Sequence, residues 1–405
     1  MNLHPTVSPV QAPPAKTEHV SLRVLHLNSE LTGGGTDNQC VQLVHGLRQL
    51  GDQVWVAGPA GREFSEIIHH LGIPFHITPP EGTFKRRFIL EAARFIRHKK
   101  IQIVHGHQGR DLWPTVLAAR LSGARPKIVL TRHMAKSPSS WFSRWFLLGQ
   151  CDALIAVSNY VAHVLCDGDY EPDSMVAERR SRPPLQGDHS KIHVIYGGID
   201  TERFKPMDGS RLRADWGLQP DHCAFGMVGG YVLPFGKGQR EFLQAAARIH
   251  RQIPQARFLI IGRGNMGNLL RGEIDHLGLT GKAWLTPYCT DMPLAMNALD
   301  CLVHSQIGTE AMPGVVCEAN ACGRPVIASR LDGIPEALAI GGYGQLVQPG
   351  SVDELAAAMS RLAAAAKASE AERLATHLRV TQSFSIRQSA QNHQLLYAQL
   401  LPRQS

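Results

Sequence analysis

Two carboxylates, Glu310 and Glu318, stand eight positions apart in the run EAMPGVVCEANACGRPVIASRLDGIPE. The first falls in a loop after the strand-like CLVHS. The second lies inside a helix that Gly314 opens and Gly323 ends. Between them, the amides of Gly314 and Val315 are unpaired donors at a helix start, where backbone N–H groups and the helix dipole favour a phosphate. Carboxylates accept hydrogen bonds from hydroxyls. Hydroxyl acceptors beside a phosphate site suit a sugar nucleotide, and a single ligand can touch both carboxylates.

Those residues need elements to hold them. VSLRVLHLN is a buried-strand pattern, GGGTDNQ a Gly-rich loop, CVQLVHGLRQLG an amphipathic helix closed by Gly51, and QVWVAG the next strand. Further strand and helix units follow through GQCDALIAVS, and this alternation over about 170 residues predicts a doubly wound parallel sheet. A second series runs from CAFGMVGG through ARFLIIG, KAWLTP and LDCLVHS to PVIAS, so two α/β halves with a cleft between them are expected. The expected divisions are a disordered tail at 1–20, which carries four prolines, domains at 21–198 and 199–385, and a terminal helix at 386–405. The polar, Pro-rich stretch 167–190 reads as an inserted surface loop.

The glutamate block resembles that of the retaining glycosyltransferases of family 4. Their signature is Glu, seven residues, Glu, a small-residue helix, Gly, Pro-Val-Ile and a Gly-rich turn ending in Glu. The matching residues are Glu310, Glu318, Gly323, Pro325, Val326, Ile327, Gly333 and Glu336. Ala311 replaces the common glycine after the first Glu, and Asp332 replaces the first glycine of the usual pair. YGGID resembles the family's PNGVD-type hinge, with Tyr196 and Gly197 in place of Pro-Asn. The resemblance covers about residues 21–400.

It implies a GT-B fold: two Rossmann-like doubly wound domains facing across a cleft, with the terminal helix packed back on the first. It implies a nucleotide-diphosphate sugar as donor, a glycan or lipid-linked acceptor, and synthesis of envelope polysaccharide, lipopolysaccharide or glycolipid. Glu318 is expected to grip the ribose hydroxyls and Glu310 a hydroxyl of the transferred sugar. A departing diphosphate needs positive charge, which the family supplies as Arg and Lys after the first strand of the second domain. Here Gly230 stands in the Arg position and Lys237 comes two positions late; Arg263, in the turn after ARFLIIG, is a candidate second cation. Gly34 and Gly35 are expected near the diphosphate and acceptor, where glycine lets a phosphate approach the backbone. By the same analogy His107 faces the acceptor and His133 the donor sugar.

Other chemistries find less support. His105 and His107 lack further ligands at suitable spacing for zinc. Asp167-Gly168-Asp169 spells a metal-binding DxD but lies in the polar insertion and not after a strand. No metal or other cofactor is expected. The eight cysteines form no CxxC pair, which fits a reduced cytoplasmic protein. An NAD-dependent oxidoreductase needs GxGxxG with an acidic residue about 20 positions on, and that fingerprint is not found.

With 43% hydrophobic and 19% charged residues the composition is that of a soluble globular protein. No apolar run reaches the roughly 18–20 residues of a membrane span. A net charge of +8 favours anionic partners, but no nucleic-acid reader motif accompanies it. FKRRFILEAARFIRHKK carries seven Lys and Arg against one Glu, and KSPSSWFSRWFLLG pairs two tryptophans at helical spacing. Both are candidates for peripheral contact with an anionic inner-membrane face. A sugar-nucleotide-binding scaffold on the same fold is the second reading, prompted by Gly230.

Overall fold

The computed structural model describes residues 21–78, 85–168, 182–233, 236–287, 289–365 and 367–402. The tail 1–20, most of the insertion 167–190 and residues Pro234 and Phe235 of the lysine loop lie outside them. The chain divides into two units. The first takes the described residues of Met1–Tyr170, Arg180–Ile199 and Phe384–Ser405, and the second those of Asp200–Ser383.

The first unit is built on seven strands: β1 (Arg23–Leu27), β2 (Gln53–Pro59), β3 (Phe75–Thr78), β4 (Ile103–Gly106), β5 (Lys127–Arg132), β6 (Ala153–Ala156) and β7 (Ile192–Val194). All pair in parallel, in the order β3-β2-β1-β4-β5-β6-β7. β4 and β6 are buried along their whole length, because helices cover both faces of a parallel sheet. The chain winds outward from β1 to β3 and then returns to β4 on the other side of β1. At such a reversal the loops after the two central strands diverge and leave a crevice at their C-terminal ends. The terminal helix Ile386–Leu400 packs on the helix Gly35–Gln49, and its Ala390, Leu396 and Tyr397 belong to the core of this unit.

The second unit repeats the design with β8 (Cys223–Val228), β9 (Ala256–Ile261), β10 (Ala283–Leu285), β11 (Cys301–His304), β12 (Val326–Ser329) and β13 (Gly344–Val347). Their order is β10-β9-β8-β11-β12-β13, again all parallel, so the reversal falls between β8 and β11. Phe225, Phe242 and Phe258 anchor its core. These two Rossmann-like sheets are the architecture of the GT-B fold.

Candidate active site

In the second unit the candidate side chains come from the loops that flank the reversal. The loop after β8 must turn sharply into the helix Gln239–Ile249, and Gly238 makes the turn at φ 90°. A Cβ there would lie 1.8 Å from the carbonyl oxygen of Ser305, so glycine alone fits. The Ser305 hydroxyl donates to the Gly238 carbonyl at 2.9 Å. Gln239, buried in the first turn, accepts from the Lys237 amide at 2.6 Å and donates to the Gly230 carbonyl at 3.3 Å. Both ends of the loop are therefore held by one side chain. The result is that Lys237 Nζ lies 3.6 Å from Glu310 Oε2.

Glu310 is held from a third direction. Its amide donates to Asp332 Oδ2 at 3.0 Å, and its carbonyl accepts from the Gly333 amide at 3.1 Å. Asp332 sits at φ 50°, the left-handed conformation that glycine adopts freely and aspartate tolerates better than most residues. The departure from the family's glycine thus keeps the turn and adds a carboxylate that fixes Glu310.

Glu318 lies in the second turn of the helix Gly314–Ala321. Its Oε1 is 3.8 Å from where a Cβ on Gly314 would stand, so the carboxylate points back toward the helix start, the direction in which helical side chains tilt. The Val316 amide is bonded to the Pro313 carbonyl, but the amides of Gly314 and Val315 find no acceptor among the described residues. Burial pushes the Glu318 carboxyl up to about 7, opposed by the positive charge of Arg203.

His304 ends β11 in the same region. Burial, and secondarily the charge of Lys237, lower it to about 3, so the ring is neutral, and its Nε2 has no partner among the described residues. Arg263 is exposed in the loop after β9, and its carbonyl accepts from the Tyr231 amide at 3.3 Å. Among the described residues, a Cβ on Gly230 would meet only that carbonyl, at 3.6 Å, which is ordinary contact. The described residues therefore leave space at the Cβ position where the family carries its cation.

In the first unit the loop after β1 turns into its helix through Gly34, the N-cap, at φ 109°. Asp37 organises this loop: buried, it accepts from the Gly33 amide, from Asn28 Nδ2 and from Gln108 Nε2 at 2.9–3.0 Å. Among the described residues nothing lies within 4 Å of a Cβ built on Gly34 or Gly35, which leaves room for a ligand beside their backbone. His107 follows β4 and His133 follows β5, with ring centroids 5.9 Å apart. Burial leaves both imidazoles neutral, His133 lowered to about 3 and His107 well below the ordinary range. His107 is 2% exposed and shares a 2.8 Å hydrogen bond with His26, whereas His133 is half-buried.

The structure thus joins Lys237 to Glu310 and places Gly314, Val315 and Glu318 on one helix start. Gly34, Gly35, His107 and His133 stand at the C-terminal edge of the other sheet. Sequence reasoning missed Gln239, His304 and Asp37. Only Asp37 carried a signal, as the one carboxylate inside GGGTDNQ.

Residues 33–176 match the family described as Glycosyltransferase Family 4, and residues 223–365 match Glycosyl transferases group 1. The D-inositol 3-phosphate glycosyltransferase of Mycobacterium marinum is 30% identical over 206 residues, 49% of this chain and 41% of that protein. The chain therefore spans about two fifths of the length of that curated relative. EpsD of Bacillus subtilis is 26% identical over 319 residues, 75% of this chain and 78% of that one. The structure of Anabaena HepE in complex with UDP superposes with a TM-score of 0.77 at 20% identity, covering 93% of this chain and 100% of that one. Two family matches that fall one on each unit, joined to the glutamate block and the two reversed parallel sheets, establish that the chain belongs to the family 4, group 1 glycosyltransferases of the GT-B fold.

Proposed function

We propose that this protein transfers a hexose-type sugar from a nucleotide-diphosphate sugar to an acceptor hydroxyl with retention of anomeric configuration. The observation that carries the reading is the approach of Lys237 to Glu310 beside the start of the helix that bears Glu318. Lys237 is a cation for the diphosphate, the Gly314 and Val315 amides are neutral donors for it, Glu318 takes the ribose hydroxyls, and Glu310 takes a sugar hydroxyl. Anabaena HepE was solved with UDP and with UDP-glucose, which supports a donor of this class.

In the reaction the acceptor oxygen bonds to the anomeric carbon on the face from which the diphosphate leaves. The bond from that carbon to the phosphate oxygen breaks, and the released phosphate oxygen takes the acceptor's proton. Charge grows on the leaving diphosphate during this step, and fixed donors at that point lower the barrier. Neither glutamate acts as a general base, and no metal is required. Arg263 is the candidate for a second cation. Gly34, Gly35 and His133 serve the donor and acceptor from the first unit; His107, expected to face the acceptor, is instead buried against His26 and stands behind His133.

The setting we infer is envelope polysaccharide, lipopolysaccharide or glycolipid synthesis at the cytoplasmic face of an anionic membrane. No helix among the described residues is long and apolar enough to cross a membrane. The helix Trp141–Gln150 instead exposes Trp141 and Trp145 by 63% and 61%, with Phe142 and Phe146 also open. Aromatic side chains so exposed suit the headgroup region. The helix Lys85–Lys99 exposes Arg86, Arg94, Arg97 and Leu90.

Thermal-shift screening against UDP-, GDP- and ADP-sugars, followed by turnover assays with and without candidate acceptors, tests the reading. A rise in melting temperature with one donor, and product only when acceptor is present, supports it. Binding without any turnover returns the protein to the scaffold reading.

A further inference from the structure

The sheet of the first unit carries a row of buried imidazoles that sugar transfer uses only at its edge. Register pairs His26 on β1 with His105 on β4, and the two-residue period of a strand puts His107 on the same face as His105. That face is covered by the helix Gly35–Gln49 and the terminal helix. His105 is satisfied at both nitrogens, Nδ1 by the Tyr397 hydroxyl and Nε2 by Thr131 Oγ1, each at 2.6 Å.

His26 and His107 are not. The only side-chain hydrogen bond of either ring among the described residues joins His26 Nδ1 to His107 Nε2 at 2.8 Å. A neutral imidazole has one donor and one acceptor nitrogen. Whichever ring donates, one buried donor and one buried acceptor remain, at His26 Nε2 and His107 Nδ1, and neither has a partner among the described residues. The nitrogens that a shared ion would bridge are the facing pair, His26 Nδ1 and His107 Nε2, which already stand 2.8 Å apart in the buried sheet face. A third donor stands above them: Cys40, a free and fully buried cysteine on the Gly35–Gln49 helix. One ligand atom from each of His26, Cys40 and His107 lies within 4.8 Å of the other two.

We propose that His26, Cys40 and His107 bind a divalent metal ion of the zinc type. Two imidazoles and a thiolate form a nitrogen and sulfur donor set, which selects zinc or cobalt over the magnesium or calcium that all-oxygen sites prefer. Binding exchanges the shared hydrogen bond for coordination. His26 Nδ1 and His107 Nε2 each give a lone pair, so both rings carry their N–H on the outer nitrogen, His26 Nε2 and His107 Nδ1; the Cys40 thiolate gives the third bond, a water the fourth, and the thiol proton passes to solvent. The two nitrogens open from 2.8 Å to roughly 3.3 Å, the span set by metal–nitrogen bonds of about 2.0 Å in tetrahedral geometry. A small cavity lined by His107, Thr131, His133 and His393 has about the room of one water, which can receive the remaining N–H of His107. The ion ties β1, the end of β4 and the helix whose first turn carries Gly35. It is a structural site, separate from the donor chemistry of the second unit.

The test uses the full chain stripped with a chelator and titrated with Co²⁺ alone, then with Zn²⁺ alone. One equivalent of Co²⁺ should bind with a thiolate-to-cobalt charge-transfer band in the near ultraviolet, and Zn²⁺ should abolish the band. Cys40→Ala should lose the band and at least tenfold in affinity, and His26→Asn should lose at least tenfold in affinity. Absence of the band in the unaltered chain, or its persistence in Cys40→Ala, overturns the proposal; this includes weak binding by surface histidines. If the variants do not fold, mass-mapped alkylation of the unaltered chain decides. Zn²⁺ should slow modification of Cys40 at least tenfold and leave the other cysteines unchanged, and unchanged labelling of Cys40 overturns the assignment.

Discussion

Lys237 Nζ and Glu310 Oε2 lie 3.6 Å apart although they follow different strands, β8 and β11. These strands are neighbours only because the order of the sheet reverses between them. The pair makes the lysine's position depend on the glutamate, and a donor diphosphate competes for the same ammonium group. Lys237→Met is expected to lower turnover about 100- to 1000-fold, the range for loss of one preorganised donor. Glu310→Ala should lose transfer far more than nucleotide binding. In the double variant the losses should not add, with a coupling of about 0.5–3 kcal/mol. Initial rates and calorimetric titration of the nucleotide measure both, and equal losses of binding and transfer in Glu310→Ala would contradict its role.

Glu318 gives a pH dependence of definite sign. Its carboxyl is raised to about 7 from an ordinary value of 4.5, so the unliganded protein takes up a proton as pH falls through 7. The carboxylate is the form that accepts hydroxyls. Nucleotide affinity should be full above pH 7 and fall by up to about tenfold per unit below it. Stability runs the other way. Because the folded pKa is the higher one, stability decreases as pH rises from 4.5 through 7. Glu318→Gln should therefore stabilise the unliganded protein at pH 8 by about 1–3 kcal/mol, discounted for partial exposure, while abolishing nucleotide binding. Melting curves and titrations at pH 6 and 8 check both halves.

Gly238 tolerates no side chain. A methyl group at this position would meet Ser305 O at 1.8 Å in a backbone held at φ 90°. Gly238→Ala should cost at least about 3 kcal/mol and displace Lys237. Thermal unfolding should show a midpoint lower by about 6–12 °C, and an unchanged midpoint would sink the argument.

Gly230 makes the opposite case. Its Cβ position is in ordinary contact and its φ lies outside the positive range. Gly230→Arg should fold with a stability change within about 0.5 kcal/mol and tighten donor binding several-fold by restoring the family's cation. A lower donor affinity would show that Arg263 or another group already fills that role.

The exposed aromatic helix predicts lipid dependence. Trp141→Ser with Trp145→Ser should reduce flotation on vesicles containing anionic lipid by several-fold without changing the melting temperature, since both rings are largely open to solvent. Flotation by the unaltered protein that is indifferent to anionic lipid would remove the membrane surface as a partner.

The chain's periodicity was enough to predict the class of fold. Runs such as RVLHL and CLVHS are dominated by apolar residues and buried almost throughout because their strands are covered on both faces, and a helix start such as PGVV is set by local backbone chemistry. Spacing within one segment likewise tied Glu310 to Glu318. What the sequence could not show was which loops meet. Asp332 fixing Glu310, and His304 close enough to Lys237 to feel its charge, are contacts between separate elements, and even the local hold of Gln239 on the Lys237 loop depends on how that loop folds back. The same holds for the imidazoles. By spacing alone His105 and His107 looked like a pair without further ligands, but strand register sets His26 beside His105 and helix packing adds Cys40. Local chemistry is written in neighbouring residues. Which distant groups share a site depends on sheet order and register, and these are set by packing of the whole unit.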